Sequence, residues 1–508
     1  MNKYFLWITF LLISPLCFAQ INLLDSENFT FGLIPYLRTD VISFKNVVDL
    51  DSYNKDDHTT YLGIDYSLGF DFNFKTQDQR FFFKLERNGP YDYDAPLFIH
   101  NTLMVSGQSR IEASRNDELL PQLEEFWYDL PLKFMPLRLK IGLFNYEIGR
   151  GYAQGSGSFE NYGFMLYQQR EIFSWHIYYC RPDLVYKNHL GPRIRQEEDE
   201  GIDYQSNAAN FFALDATFSQ GGHKIQPFVS VLSDYSSPGK RTNLFSTPTH
   251  KDILGMFGVS ADFKIKNFSL GWELAHNFGE AKSSEPEFKN VEHKGYLIYA
   301  QGAYNSEKFS PHIQFLYSSG NKVTTEMVDD GDIVFPNAEN KAFSVYSPLN
   351  TNLFDSLTPS ADSLPLVFFG WGYGLSYGLG TYRPSTMADV AVLENLIMPS
   401  FGFNYKFNDK VAVTLDWWYI KANEKGVGTF QGSAKELARN LGQELDLSLS
   451  YDINDKINVS LYAGYFWPGK YFKEERDDIN GSLFTPYVCG DGKADNAYQI
   501  ELVAEFKF

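Results

Sequence analysis

Along residues 61–74, YLGIDYSLGFDFNF, large apolar side chains recur at every second position. Leu62, Ile64, Tyr66, Leu68, Phe70, Phe72 and Phe74 share one face of an extended chain, and Tyr61, Gly63, Asp65, Ser67, Gly69, Asp71 and Asn73 share the other. The period returns in KINVSLYAGYFW through Ile457, Val459, Leu461, Ala463, Tyr465 and Trp467. In LRLKIGLF it sets Leu137, Leu139, Ile141 and Leu143 outward and Arg138 and Lys140 inward. The closing octapeptide ELVAEFKF repeats it: Leu502, Ala504, Phe506 and Phe508 oppose Glu501, Glu505 and Lys507, with Val503 the exception. A period of two is worth encoding only when one face is buried against an apolar medium.

Eighteen such segments can be read, at about 29–43, 59–75, 79–87, 120–130, 136–146, 161–170, 171–181, 208–219, 223–233, 252–265, 268–278, 292–304, 308–318, 395–407, 410–422, 440–452, 455–467 and 495–508. KTQDQR, LPLKFMP, SQGG, KIKN, NSEK, FNDK and INDK are tight turns between them, whereas 88–119, 182–207, 234–251, 319–394 and 468–494 are long, polar and rich in Gly, Pro and Asp. Short links on one side and long loops on the other predict an all-β, transmembrane antiparallel β-barrel with short periplasmic turns and long extracellular loops. The segments run to about 9–14 residues, the length that crosses a bilayer at a tilt, whereas soluble sandwiches favour strands of about 5–6. No repeating period marks a β-solenoid. Trp127, Trp417, Trp418 and Trp467, near strand ends, suit interfacial girdles. ELVAEFKF reads as the closing strand, which must pair with the first because an unpaired edge in hydrocarbon leaves amides unsatisfied.

Composition places this barrel in a cell envelope. Residues 1–19 carry Lys3, an apolar run from Tyr4 to Ile13 and Cys17 and Ala19 before Gln20. They read as a signal peptide, with 20–508 the barrel domain. The chain then keeps only Cys180 and Cys489, which are not a disulfide framework. After the signal no run of about 18 apolar residues occurs. Aromatics make up 17% of residues, and the net charge of −19 disfavours a nucleic-acid partner. The expected location is the outer membrane of a Gram-negative bacterium, among lipid and lipopolysaccharide. A terminal aromatic such as Phe508 resembles the signal by which outer-membrane assembly machinery recognises its clients.

Two stretches resemble the alginate-export porin family. LEEFWYDLPLKFMPLRLKIGLFNYEIGRGYAQGSGSFENYGFMLYQQRE, 123–171, has an acidic aromatic strand, a tight turn, a strand ending near Gly149 and Arg150, a Gly-rich loop and an Asn-Tyr-Gly strand. LGQELDLSLSYDINDKINVSLYAGYFWPGKYF, 441–472, is close to that family's LG-x-E-x-D strand, short turn and F-x-PG exit. The resemblance implies an eighteen-stranded outer-membrane barrel passing an anionic polysaccharide through an electropositive constriction. Polyuronate passage wants basic side chains clustered at one depth. By alternation the inward cations include Arg38, Lys84, Arg138, Lys140, His176, His312 and Lys406, and Arg150 lies at a loop position. Arg138, Lys140, Lys84, Arg150 and Arg38 are the pore-lining candidates, with Arg138 and Lys140 placed toward the periplasmic mouth and Lys84 nearer mid-lumen. The acids Asp65, Asp71, Glu86, Glu125, Asp262, Glu273, Asp416, Glu444 and Asp446 share that face. Carboxylate ladders that hold the wall rigid are the bland alternative for each cation.

Other chemistry finds little footing. RIRQEEDEGID and DDGD read as solvated acidic loops, and DDGD lacks EF-hand spacing. No H-x-x-x-H or C-x-x-C occurs, so neither a metal nor a cofactor is expected. Ser174 and His176 share a face, as polar residues on any lumen strand do, and no enzyme activity is expected. The first strand begins too early for a plug domain. Loop 319–394, with WGYGLSYGLGTYRPSTMADVAVLENL and a helix-like stretch Met387–Leu396, is either a constriction or lid folded into the pore or an extracellular flap. The reading is therefore a passive channel for an anionic polysaccharide. A porin for small hydrophilic nutrients is the alternative, favoured by a mixed lumen, and a plugged barrel acting as an enzyme or adhesin is the second.

Overall fold

The structure, a computed structural model, describes residues 21–46, 59–87, 122–144, 146–152, 161–181, 210–234, 249–283, 290–322, 364–369, 395–430, 433–475 and 493–507, with short stretches between 324 and 343 and at 393. Among the described residues, eighteen strands close one antiparallel sheet into a barrel. They are β1 Phe29–Lys45, β2 Thr59–Phe74, β3 Gln79–Arg87, β4 Gln122–Pro131, β5 Arg138–Phe144, β6 Asn161–Gln169, β7 Phe173–Cys180, β8 Asn210–Gln220, β9 His223–Asp234, β10 Thr249–Ile265, β11 Phe268–Ser283, β12 Tyr296–Tyr304, β13 Phe309–Ser318, β14 Leu396–Lys406, β15 Val411–Ala422, β16 Asn440–Asn454, β17 Ile457–Pro468 and β18 Ala497–Lys507. Each corresponds to one of the eighteen segments read from alternation.

Closure is made as the last octapeptide requires. β18 pairs with β1 from Tyr36 opposite Lys507 to Lys45 opposite Tyr498. A further short strand, Ile21–Asp25, pairs with the same edge of β1 at residues 30–33, where β18 has already ended. It therefore prolongs the line of β18 and covers backbone groups of β1 that would otherwise form an open edge. Lys75, in the turn after β2, holds this strand through Asp25 at 2.7 Å and the Ser26 carbonyl at 2.9 Å.

The short turns carry their own chemistry. In FNDK, Asn408 Oδ1 accepts from the backbone N–H groups of Lys410 and Val411 at 2.8 and 3.0 Å, and in INDK Asn454 Oδ1 accepts from Lys456 at 2.9 Å. A side chain that mimics a backbone turn reverses the strand within a few residues.

The outward face is apolar and open. Ile313 is 64% exposed, Phe401 59% and Phe257 52%, and Phe126, Ile141, Phe212, Leu214, Leu270, Leu274 and Leu502 join them around the circumference. A continuous apolar band of this kind belongs against hydrocarbon, and a closed barrel satisfies every strand amide inside it. The inward face holds Arg38, Asp215, Glu273, His312, Asp416, Glu444 and Glu501, all buried.

One expectation needs correction. Trp127 and Trp418 do not stand in an interfacial girdle: they point inward and are 7% and 1% exposed, while Trp417 and Trp467 face outward. Trp417 and Trp418 are adjacent on one strand, so the pleat must send them to opposite faces. The helix described in the loop after β13 is Leu366–Phe369, and most of the stretch Met387–Leu396 lies outside the described residues. Leu396 already belongs to β14.

Candidate functional site: the inner wall of the barrel

Polar side chains in a low-dielectric wall must find partners, and the described wall meets that demand in three regions. The first spans β2 to β9. Arg80 forks onto Asp71, with Nε to Oδ1 at 2.8 Å and Nη2 to Oδ2 at 3.0 Å, and its guanidinium lies 5.3 Å from the Trp127 ring centre. Lys140 Nζ sits 4.0 Å over the same ring and 4.6 Å from the ring of Phe144. Trp127 in turn donates its indole N–H to Glu125 at 2.9 Å and packs on Phe82. Arg138 reaches the periplasmic turn, where it pairs with Asp78 at 2.6 Å, and it donates to Asp129 and Tyr167 at 3.1 Å each. Further along the wall, Asp215 collects hydrogen bonds from Tyr146 and Gln226 and faces His176 Nδ1 at 3.1 Å.

The second region is built by a loop. Residues 146–152, after β5, turn into the lumen and lie on β10–β12. The Arg150 backbone N–H donates to Glu273 at 2.6 Å, its guanidinium pairs with Asp262 and lies 5.8 Å from the Tyr299 ring, and Tyr152 stacks on Tyr299 at 4.1 Å. Gly271 stands directly beneath the guanidinium, because a side chain there would occupy the same space.

The third region lies on β13–β17. His312 Nε2 meets Asp416 Oδ1 at 2.5 Å, and Asp416 faces Asp446 across the β15–β16 register. Glu444, fully buried, accepts from the backbone N–H groups of Val367 and Phe368, the latter at 2.9 Å, while Asp446 accepts from Leu366 at 3.2 Å. The segment 364–369 of the long loop is thus seated inside the barrel, with Val367 and Phe368 wholly buried. At the seam between β1 and β18, Arg38 Nη2 pairs with Glu501 Oε1 at 2.8 Å, both side chains sealed from water.

The five candidate cations all lie on the inner side, but they do not converge. Arg138 is at the periplasmic end, Lys140 one inward step further along, Lys84 opposite Glu125 on the neighbouring strand, Arg150 across the lumen on β10–β12, and Arg38 at the seam. The side chains of Asp65 and Glu86, and the whole of Cys489 and Phe508, lie outside the described residues. Cys180 is buried on the inner face of β7. Sequence reasoning did not single out Asp129, Asp215 and Trp418 as members of the wall. The same alternation marks them: Asp215 falls two residues from Ala213 and Asp129 two from Trp127, on faces whose other members point inward.

An even-numbered, closed antiparallel barrel with an apolar outer band, a polar interior, short turns at one end and long loops at the other is a bacterial outer-membrane barrel of the porin type. No protein-family model and no curated protein matches the chain, so the resemblance to alginate-export porins rests on its two motifs alone. Among solved structures, Pseudomonas aeruginosa OpdL is 8% identical, with 94% of this chain and 98% of that chain covered and a TM-score of 0.48. Pseudomonas aeruginosa OccK11 (OpdR) is 9% identical over 97% of this chain and 100% of that chain, at 0.46. A BenF-like porin from Pseudomonas fluorescens Pf-5 is 8% identical over 94% and 99%, at 0.45. Likenesses of that order carry no functional inference, and the barrel stands on its own hydrogen-bond register.

Proposed function

We propose that the chain is a selective outer-membrane channel for a small hydrophilic solute, which crosses by diffusion without a catalytic step. The supporting observation is the pairing of the wall. Arg38, Arg138 and Arg150 each hold a carboxylate, and Lys140 is seated on aromatic rings, so these cations do not form a shared track at one depth. A polyuronate needs such a track, where a low-dielectric wall focuses the field of several cations on successive charges of the polymer. A mixed, paired wall narrowed by residues 146–152 and 364–369 favours instead a compact solute read by a few groups. Barrels of 16–18 strands leave room for an aqueous channel.

Reversal potential in a planar bilayer under a KCl gradient tests this, with and without added polyuronate, alongside vesicle swelling in sugars and amino acids of increasing size. Expected are conductance, indifference to the polymer and a sharp size limit among small solutes. Anion selectivity with block by polyuronate would overturn the reading in favour of polysaccharide passage. A non-conducting protein would favour a plugged barrel.

A further inference from the structure

Glu444 and Asp446 differ from the other buried acids of the wall. Glu501 has the Arg38 guanidinium, Asp215 and Asp416 each have a histidine ring, and Glu273 accepts from the Arg150 backbone N–H, whereas among the described residues no basic side chain meets Glu444 or Asp446. They lie two residues apart on one strand and therefore side by side on one face. What meets them is a row of three peptide N–H groups, from Leu366, Val367 and Phe368. The same patch contains unanswered polar atoms. Trp418, opposite Glu444 in the register, buries its indole Nε1 without an acceptor, Ser400, opposite Trp418, buries its hydroxyl without a partner, and Asp446 Oδ1 is likewise unmatched. Two acid groups hydrogen-bonded to each other, without a counter-charge among the described residues and bordered by an indole donor and a hydroxyl, present a surface for a group that donates several hydrogen bonds and carries positive charge. A protonated amine has three donors in a compact head and fits that demand.

We propose that this face is a subsite for a protonated amine, occupied in the present state by the amides of Leu366–Phe368 as an internal stand-in, and that the preferred solute carries such an amine, as a basic amino acid or a diamine does. The inference deepens the channel reading and rests on it. The seat of the stand-in depends on a glycine: Gly464, facing Asp446 across β16–β17, leaves the room that Val367 fills, and a methyl group there would come within 2.7 Å of the Val367 side chain. The solute displaces the segment by offering the two carboxylates a full charge in place of peptide dipoles. Trp418 divides the two sources. An amino acid brings a carboxylate that accepts the indole N–H, and a diamine has no acceptor.

The test uses the full chain in a planar bilayer with KCl on both sides, adding L-lysine, putrescine or L-glutamate. Concentration-dependent block by lysine or putrescine and none by glutamate is expected. In the double variant E444Q/D446N the block weakens at least about tenfold, because a charge-assisted hydrogen bond is worth a factor of that order, and the pore becomes less cation-selective. Trp418→Phe removes only the indole donor. It weakens block by lysine and leaves block by putrescine unchanged if an amino acid is the solute. It also carries the test should the double variant fail to assemble, with heat-modifiable migration as the check of folding. A conducting pore that ignores both amines, or is blocked equally with and without the two carboxylates, removes the subsite alone. A wild-type barrel without conductance removes the channel reading and the subsite with it.

Discussion

Gly271→Ala separates intrinsic strand preference from the wall contact that the fold has placed on that residue. Gly271 lies in the first, turn-side part of β11, within the strand ladder and opposite Asp262 and Gln301. Glycine inside a strand costs about 0.5–1 kcal/mol relative to alanine, so on propensity alone the substitution stabilises. A Cβ there, however, would overlap the Arg150 guanidinium and come within 2.9 Å of Gln301 Nε2. Arg150 must then leave Asp262. Hydrogen bonds to charged groups contribute about 1.5–3 kcal/mol, reduced here to about 1–2 because Asp262 is 41% exposed on its side chain. Its contact with the Tyr299 ring, worth about 0.5–1 kcal/mol, goes with it. The losses exceed the gain, and Gly271→Ala is expected to destabilise by about 1 kcal/mol. Gly302→Ala supplies the control: its new methyl group would meet Leu270 and Ile313 at 3.5 and 3.8 Å, ordinary contact on the lipid-facing side. That variant should gain the 0.5–1 kcal/mol uncompensated. Urea unfolding in lipid vesicles, followed by tryptophan fluorescence, should part the two by about 2 kcal/mol. Single-channel records should show extra current noise only for Gly271→Ala, whose inserted loop has lost a tether. Equal stabilities with identical records would refute the assignment of residues 146–152 to the lumen wall.

Arg38→Met leaves Glu501 buried without its cation and should cost about 3–5 kcal/mol, while Arg38→Met with Glu501→Gln should cost distinctly less; additive losses in the same urea assay would deny that the pair is sealed. Phe257→Arg, mid-strand on the outer face, should cost about 2–4 kcal/mol in a bilayer, and a neutral result would misplace the membrane. Lys140→Met keeps the alkyl contact with Trp127 but removes the charge, so reversal potential should move toward cation selectivity; no movement takes Lys140 off the ion path. Lys75→Ala breaks an exposed pair and should alter stability by less than about 1 kcal/mol, because water screens both charges.

The barrel was legible in the sequence because its physics is local. A strand that separates lipid from a polar lumen must alternate residue by residue, and turns such as FNDK and INDK carry their own backbone mimic, so strand number, faces and link lengths can all be read along the chain. The placement of Arg138 near the periplasmic end follows from its distance to the turn, and the pairing of ELVAEFKF with the first strand follows from closure. Partnerships across the lumen were not legible. Nothing in the residues around Arg150 says that Asp262, more than a hundred positions away, will take its charge, and Trp127 reads equally well as an interfacial anchor until its register with Phe82 is known. Alternation gives a face and leaves depth and partner to the tilt and stagger of the whole barrel.

That missing information also locates selectivity. A buried wall charge can be met by another wall side chain, by a loop or by the solute, and the three differ in how readily they exchange. Arg38 and Glu501 sit on neighbouring strands of a closed sheet, and separating them means opening the seam. Asp262 is answered by Arg150, whose loop is held again through the backbone N–H at Glu273 and the Tyr152–Tyr299 stack, so release needs several contacts to break together. Among the described residues, Glu444 and Asp446 are answered by each other and by peptide dipoles, from a segment that also packs Leu364, Val367 and Phe368 against the wall. A solute passing through gains least by competing with the first arrangement and most by replacing the third, where it brings a charge that the loop lacks. Charge reversal at Arg38 or Arg150 should therefore disturb stability before it disturbs discrimination among solutes, and neutralising Glu444 and Asp446 should do the opposite.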